Sequence, residues 1–391
     1  MTKRHMQAEK TRAGGVRCAG LLAIVLAWSL LAAFPLSAQG GGAPGPPPVE
    51  RRIHSVPLEQ VVFDTFDGAY LRLSEADDGD IARLRDAIRP IYQPRYEGPG
   101  GGDWLKPQDL VIGYAGRAGA YAYPLKILNY HEIVNDVIDG VPVLVSYCPL
   151  CASGIVFGRR LEHRTLLFGN TSALYENDMV MYDHQTGSYW FQVGGRAIVG
   201  RLTHKQLTVL PSMTLPWREW LALHPATRVL SREQGFGRRP PYQRDAFQGY
   251  ARMVDALRFP FPLSMEKVDR RLRAGAVVLS VRAGGRERAY PLARLGDAAV
   301  NDSLGGLPVV IMSRASGPWA GAFVAMVNGR RLDFRMVRGA ISDIQTGSRW
   351  NMLGHAEAGP LAGKRLRPLP TRRAFWFSLS LALPGIELYQ P

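Results

Sequence analysis

The sequence predicts an α+β protein of predominantly antiparallel β-sheet, built from two tandem homologous units with short helices. Three observations lead there. Runs of β-branched and aromatic residues bounded by Gly, Asn and Pro outnumber helical patterns. At 391 residues and 46% hydrophobic composition, the chain can bury a large core. Most tellingly, it repeats itself. Ala122-Tyr123-Pro124-Leu125 returns as Ala289-Tyr290-Pro291-Leu292, Val134-Asn135-Asp136 as Val300-Asn301-Asp302, and Gly140 with Pro142-Val143 as Gly306 with Pro308-Val309. Asp183, Gln185-Thr186-Gly187-Ser188 and Trp190 recur as Asp343, Gln345-Thr346-Gly347-Ser348 and Trp350, and Leu210-Pro211 with Trp217 as Leu369-Pro370 with Trp376. The offset drifts only from 167 to 159. Matches in one order at nearly one offset imply a duplicated unit of about 115 residues.

Residues 1–38 read as an export signal. Lys3, Arg4, Lys10, Arg12 and Arg17 precede the uncharged apolar stretch from Cys18 to Phe34, and Leu36-Ser37-Ala38 ends in small residues. Cleavage near Ala38 is expected, giving a periplasmic or secreted protein. The rival is an uncleaved membrane anchor over residues 18–34, at the short limit for a bilayer span. Membrane contact is expected only in that case. Residues 39–55 read as a disordered Gly/Pro linker. Residues 56–108 form a lead-in, with a strand at Val61-Val62-Phe63 and a helix from Asp80 to Ile88, where Ile81, Leu84 and Ile88 recur at helical spacing.

The first unit covers residues 109–231. A strand from Leu110 to Tyr114, a Gly-bearing turn and a Pro-opened helix from Leu125 to Val134 precede a strand from Val141 to Tyr147. A meander follows, closed by a Trp-bearing helix from Trp217 to Leu223. The second unit, residues 276–388, repeats the plan: a strand from Val277 to Val281, a helix from Leu292 to Val300, a strand from Val309 to Met312 and a closing helix from Phe375 to Leu381. Residues 232–275 between them are rich in Arg, Pro and Tyr and read as an extended connector. Phe259, Phe261 and Leu263 mark it as packed rather than free.

The net charge of +15 rests on 41 arginines against 7 lysines. These are scattered, without an aromatic-interleaved stripe or nucleic-acid module, so no nucleic-acid partner is expected. Nor is there a G-x-S-x-G elbow, Walker loop or G-x-G-x-x-G. The chemistry concentrates in Ser146-Tyr147-Cys148-Pro149-Leu150-Cys151-Ala152-Ser153-Gly154. Of three cysteines, the two here lie beyond the leader. Apolar β-branched flanks place them on a tight link between strands. In thioredoxin-like proteins the first thiol sits at a helix N-terminus that lowers its pKa, but no helical pattern follows Cys151. A disulfide over so short a ring would restrain the unfolded chain by only about 2 kcal/mol. Redox chemistry and metal ligation therefore both compete with a structural role.

The run Tyr123 to Asp136, then Tyr147-Cys148-Pro149-Leu150-Cys151, then Met181-Tyr182-Asp183 with Thr186 and Trp190, resembles the bacterial and archaeal family called domain of unknown function 3179. The resemblance covers nearly all of the mature chain, including the connector. Some members look like selenoproteins, which implies redox use of the cysteine position. Two departures stand out: Ala152 follows the second cysteine where members often carry Gly, Asn or Thr, and His184 follows Asp183 where Arg is usual.

Three functions are carried forward. The first is an exported thiol-disulfide redox protein, a candidate thiol oxidoreductase, cycling Cys148 and Cys151 against an unidentified redox partner or small-molecule substrate. The second is extracytoplasmic binding of copper or zinc by Cys148, Cys151 and His131. The third is a non-catalytic scaffold or surface binding protein. The repeat sharpens the choice of residues, since polar groups kept in both copies point to folding. Those confined to the first copy, which has the cysteines, are the functional candidates: His131, Glu132, Tyr147, Asp178, Tyr182 and His184. Of these His131, Asp178 and Tyr182 are expected to complete the site around Cys148 and Cys151.

Overall fold

The computed structural model describes residues 45–237 and 240–390. The stretch 1–38, read above as an export signal, lies outside the described residues. Antiparallel sheet dominates, as expected for the α+β class, and the helices described are short, from Leu292–Leu295 to seven-residue turns such as Trp217–Leu223 and Trp376–Ala382. Prolines stand immediately before three of them, at Pro124, Pro216 and Pro291. A fixed φ and a missing N–H suit that position, because the first helical amides have no partner within the helix.

Two sheets position the chemistry. An eight-stranded sheet contains the hairpin Val141–Cys148 and Ser153–Gly158, with Ile133–Ile138 on its edge. A six-stranded sheet contains Val61–Asp64, Phe168–Tyr175, Asp178–Asp183 and Tyr189–Phe191. One hydrophobic core lies between them, including Phe63, Phe157, Phe168, Trp190, Cys148 and Cys151. The eight-stranded sheet also crosses between the halves of the chain, since Thr371–Phe375 pairs with both Val277–Ala283 and Ser153–Gly158. The halves are therefore interleaved.

Equivalent residues in the two halves make equivalent bonds. Asn135 Nδ2 donates to Phe168 O at 2.8 Å, and Asn301 Nδ2 to Phe334 O at 2.8 Å. Asp183 Oδ2 accepts from Trp190 Nε1 at 2.9 Å, and Asp343 Oδ2 from Trp350 Nε1 at 2.9 Å, each carboxylate also taking the backbone N–H and hydroxyl of the Thr three residues on. Tyr123 and Tyr290 each donate to the following Asp136 or Asp302 at 2.7 Å. A buried carboxylate is tolerated when several donors satisfy it. These shared residues do that, which accounts for them without chemistry.

Four local expectations are corrected. The lead-in helix runs Asp78–Leu84, earlier than the apolar spacing suggests, because Asp77 and Asp80 form a reciprocal capping box and Asp86 turns the chain with φ 53°. The helix after Pro124 stops at His131, since Glu132 adopts φ 55° and the β-branched run from Ile133 takes up a strand, and its counterpart after Pro291 stops at Leu295, where Gly296 at φ 64° leads into the strand Ala298–Leu304 rather than a helix to Val300. Residues 45–55, part of the expected linker, are docked: Arg85 donates to the carbonyls of Pro46 and Pro47 at 3.0 Å each, and Val49 is buried. The connector holds a short helix, Tyr250–Asp255, rather than being extended throughout.

Candidate metal centre

The cysteine hairpin builds the centre from its own turn. Cys148 ends its strand opposite Ser153, Pro149–Cys151 form one 3-10 turn, and Ala152 closes it in the left-handed region at φ 48°, ψ 30°. A left-handed non-glycine residue is strained by roughly 1 kcal/mol, and here the strain turns both thiols to one side. Both are buried, at 1% and 0% exposure. The adjoining hairpin supplies the third group. Glu176 (φ 51°) and Asn177 (φ 57°) make the tight turn between Phe168–Tyr175 and Asp178–Asp183, the backbone form that matches strand twist. Asp178 is the first residue after it.

One ligand atom from each of Cys148, Cys151 and Asp178 lies within 4.8 Å of the others, and all three residues are buried. Asp178 Oδ2 accepts from Val193 N at 2.9 Å. Its Oδ1 is buried without a well-formed hydrogen bond, and the Cys148 and Cys151 thiols beside it favour its charged form against burial. Such an atom costs about 1–3 kcal/mol, and more for a charged group. Cys151 Sγ lies 3.3 Å from the carbonyl of Asn177.

The electrostatics run one way. Burial pushes Cys148 up to about 11 and Cys151 well above its ordinary value, with the Asp178 carboxylate adding to both. Burial likewise raises Asp178 to about 6, Asp64 to about 6 and Glu132 to about 8. Glu132 faces the same small cavity as Cys148, about 50 Å³, shared with Asp64, Asn170, Met179 and Phe261. Its Oε2 accepts from Asn170 Nδ2 at 2.7 Å, and Asn170 begins a bulge in its strand. No Lys, Arg or His is among the described residues lining that cavity. The site gathers acids and thiols without a cation, whereas activating a thiol as nucleophile calls for nearby positive charge.

The other expected residues lie elsewhere. His131 is not among the converging groups: its Nδ1 is 2.7 Å from Arg89 O, its Nε2 is 2.7 Å from the Tyr242 hydroxyl, and its ring stacks on Phe236 at 4.8 Å. Both nitrogens are thus committed, and burial lowers its pKa to about 4. A neutral ring completing the core explains it better than ligation. Tyr182 points to a different cluster, donating to Asp86 Oδ2 at 3.0 Å and stacking on His184 at 5.1 Å. Asp178 does join the cysteines, and Glu132, also confined to the first half, does line their cavity. Asp64 and Asn170 carry no motif, so nothing short of the packed sheets could place them there.

No curated protein and no solved structure matches this chain. The model of the family described as "Protein of unknown function (DUF3179)" matches residues 85–384, which hold the cysteine turn, Asp178, Glu132 and the connector. The chain therefore belongs to the DUF3179 family.

Proposed function

We propose that the protein binds a single zinc ion through Cys148 Sγ, Cys151 Sγ and Asp178 Oδ1. The observation that carries this reading is the convergence of two buried thiols on the fully buried Asp178 carboxylate, within 4.8 Å of one another. A divalent cation would satisfy that carboxylate and offset the repulsion that raises both thiols, which deprotonate on ligation. Thiolates suit both Cu(I) and Zn(II), while a carboxylate oxygen and the high negative charge of the set favour the divalent, borderline ion. Three protein donors leave a fourth position, as in catalytic zinc sites, and Glu132 faces the cavity beside it. Elemental analysis of protein purified without chelator tests this. About one zinc per chain is expected, lost in Asp178→Asn. A metal-free protein that takes up no zinc from buffered micromolar solution would refute it.

A second reading, thiol-disulfide exchange, is favoured by the closeness of the two sulfurs and by the acid beside them, which could accept a thiol proton. Burial would restrict its partner to a small molecule. Thiol counting under native and denaturing conditions separates the two, since an oxidised pair gives no free thiol in either.

Two broader inferences accompany the site. The matched hydrogen bonds of Asn135 and Asn301, and of Asp183 and Asp343, support descent of the two halves from one duplicated unit. The basic, apolar and small-residue order of residues 1–38 supports an exported protein with its centre outside the cytoplasm. A mature mass retaining Met1 would count against cleavage.

A further inference from the structure

The two halves treat one sheet face in opposite ways. In the first half the cross-strand row Gly169, Tyr182 and Tyr189 is sealed by the lead-in segment. Tyr182 donates to Asp86, Arg85 lies over its ring at 5.0 Å, and Phe63 meets Tyr189 edge-on at 6.5 Å, which leaves the two tyrosines 2% and 0% exposed. The matching row of the second half is Arg335, Ser342 and Arg349. Its strand Phe334–Val337 is the edge of a four-stranded sheet, and burial alternates along it: Phe334, Ile341 and Trp350 turn into the core while Arg335, Val337, Ala340 and Arg349 face solvent.

Side chains alternate across a strand, so Arg335, Val337, Ala340, Ser342, Ile344 and Arg349 share this outer face. Neighbouring strands stand about 4.8 Å apart, which sets Arg335 and Arg349 about 10 Å apart across Ser342. Arg338 occupies the turn beside Val337. All three arginines are exposed and have no acidic partner among the described residues, Arg335 reaching only the Ser342 hydroxyl at 3.4 Å. Asp333 at the rim is taken by Arg331 at 3.0 Å. Val337 and Ile344 are each 60% exposed, more than any other large apolar side chain described. The charge has the same asymmetry: residues 276–388 carry 15 Lys and Arg against 7 Asp and Glu, and residues 109–231 carry 10 against 9.

We propose that this face docks on an anionic phospholipid surface, with Arg335, Arg338 and Arg349 against headgroup phosphates and Val337 and Ile344 entering the interfacial layer. Guanidinium groups suit phosphate, and apolar side chains enter the boundary between headgroups and acyl chains. A protein partner would call for an aromatic or similar anchor filling a pocket, and the face carries no aromatic side chain. A polyanion such as nucleic acid would be held through its phosphates, which leaves the exposed Val337 and Ile344 without a purpose. The contact is separate from the cysteine centre and does not rest on zinc binding. It gives the half without cysteines a role of its own.

Co-sedimentation with vesicles tests this, using the chain without residues 1–38, which keeps every described residue. Vesicles of equal parts phosphatidylglycerol and phosphatidylcholine should bind at least about tenfold more tightly than phosphatidylcholine alone, and the difference should shrink as salt is raised. At about fivefold per arginine, Arg335→Gln/Arg338→Gln/Arg349→Gln should weaken binding on the order of a hundredfold. Val337→Ser/Ile344→Ser should weaken it at least about fivefold. Arg117→Gln/Arg160→Gln/Arg164→Gln removes equal charge from exposed sites of the first half and should stay within about threefold of wild type. Every replaced side chain is exposed, so melting temperatures should match. Equal binding to the two vesicle types, binding to neither, an unaltered affinity in either second-half variant, or an equal loss in the first-half variant would each overturn the proposal.

Discussion

Replacing Glu132 by Gln should change how stability depends on pH far more than it changes stability in acid. Glu132 is buried at 5% exposure, and its pKa rises from an ordinary 4.5 to about 8, first through burial and then through the charges of Asp178 and Asp64. Between those values the folded chain keeps a proton that the unfolded chain has lost. By linkage, the contribution of this group is fully favourable below pH 4.5 and is lost as pH rises through 8. The window spans about 3.5 pH units at about 1.36 kcal/mol each, a loss of about 5 kcal/mol above pH 8. A glutamine in its place would keep an oxygen for Asn170 Nδ2 and carry no charge at any pH. Urea denaturation of reduced, chelator-treated protein should therefore give wild type and Glu132→Gln within about 1 kcal/mol of each other at pH 5. At pH 8.5 the variant should be about 3–5 kcal/mol more stable. Metal must be absent, because a cation nearby would lower the Glu132 pKa. Parallel stability profiles would show that Glu132 ionises normally and that the cavity is far wetter than its lining implies.

Three further outcomes are expected. His131→Phe should leave zinc content intact and cost about 2 kcal/mol at neutral pH, through loss of the two hydrogen bonds that the ring makes to the Tyr242 hydroxyl and the Arg89 carbonyl; because the His131 pKa is lowered to about 4, the native histidine's contribution is lost as pH falls from 6.5 toward 4, so the variant should lose less stability over that range, and loss of zinc instead would restore His131 as a ligand. Ala152→Gly should raise stability by about 1 kcal/mol, since glycine takes the φ 48° conformation freely, and a destabilised variant would contradict a strained turn. Asp183→Ala and Asp343→Ala should each cost about 3 kcal/mol or more by stranding the buried Trp and Thr donors, with zinc content unchanged in both, as calorimetry with elemental analysis would show.

The sequence by itself determined the class of fold and the position of the two cysteines on a tight link between strands, because these rest on local or periodic signals. Alternation of apolar residues marks strands whatever they pair with, a Tyr-Pro step marks a helix start, and C-x-x-C is a spacing along the chain. The comparison of the two halves also separated Asp183 and Trp190, which serve folding, from Asp178 and Glu132, which stand in the first half alone. What it could not decide was which of those first-half residues meet. His131 lies seventeen residues before Cys148 and Asp178 thirty after it, yet Asp178 joins the thiols and His131 does not. That outcome turns on backbone and partners. Glu132 at φ 55° ends the helix at His131, whose ring is held by Tyr242 and Phe236 from the connector. The Glu176–Asn177 turn swings Asp178 under the cysteine turn of a different sheet. Whether a carboxylate comes to face two thiols depends on how two sheets close over it, a property of three-dimensional packing that no single stretch of sequence encodes.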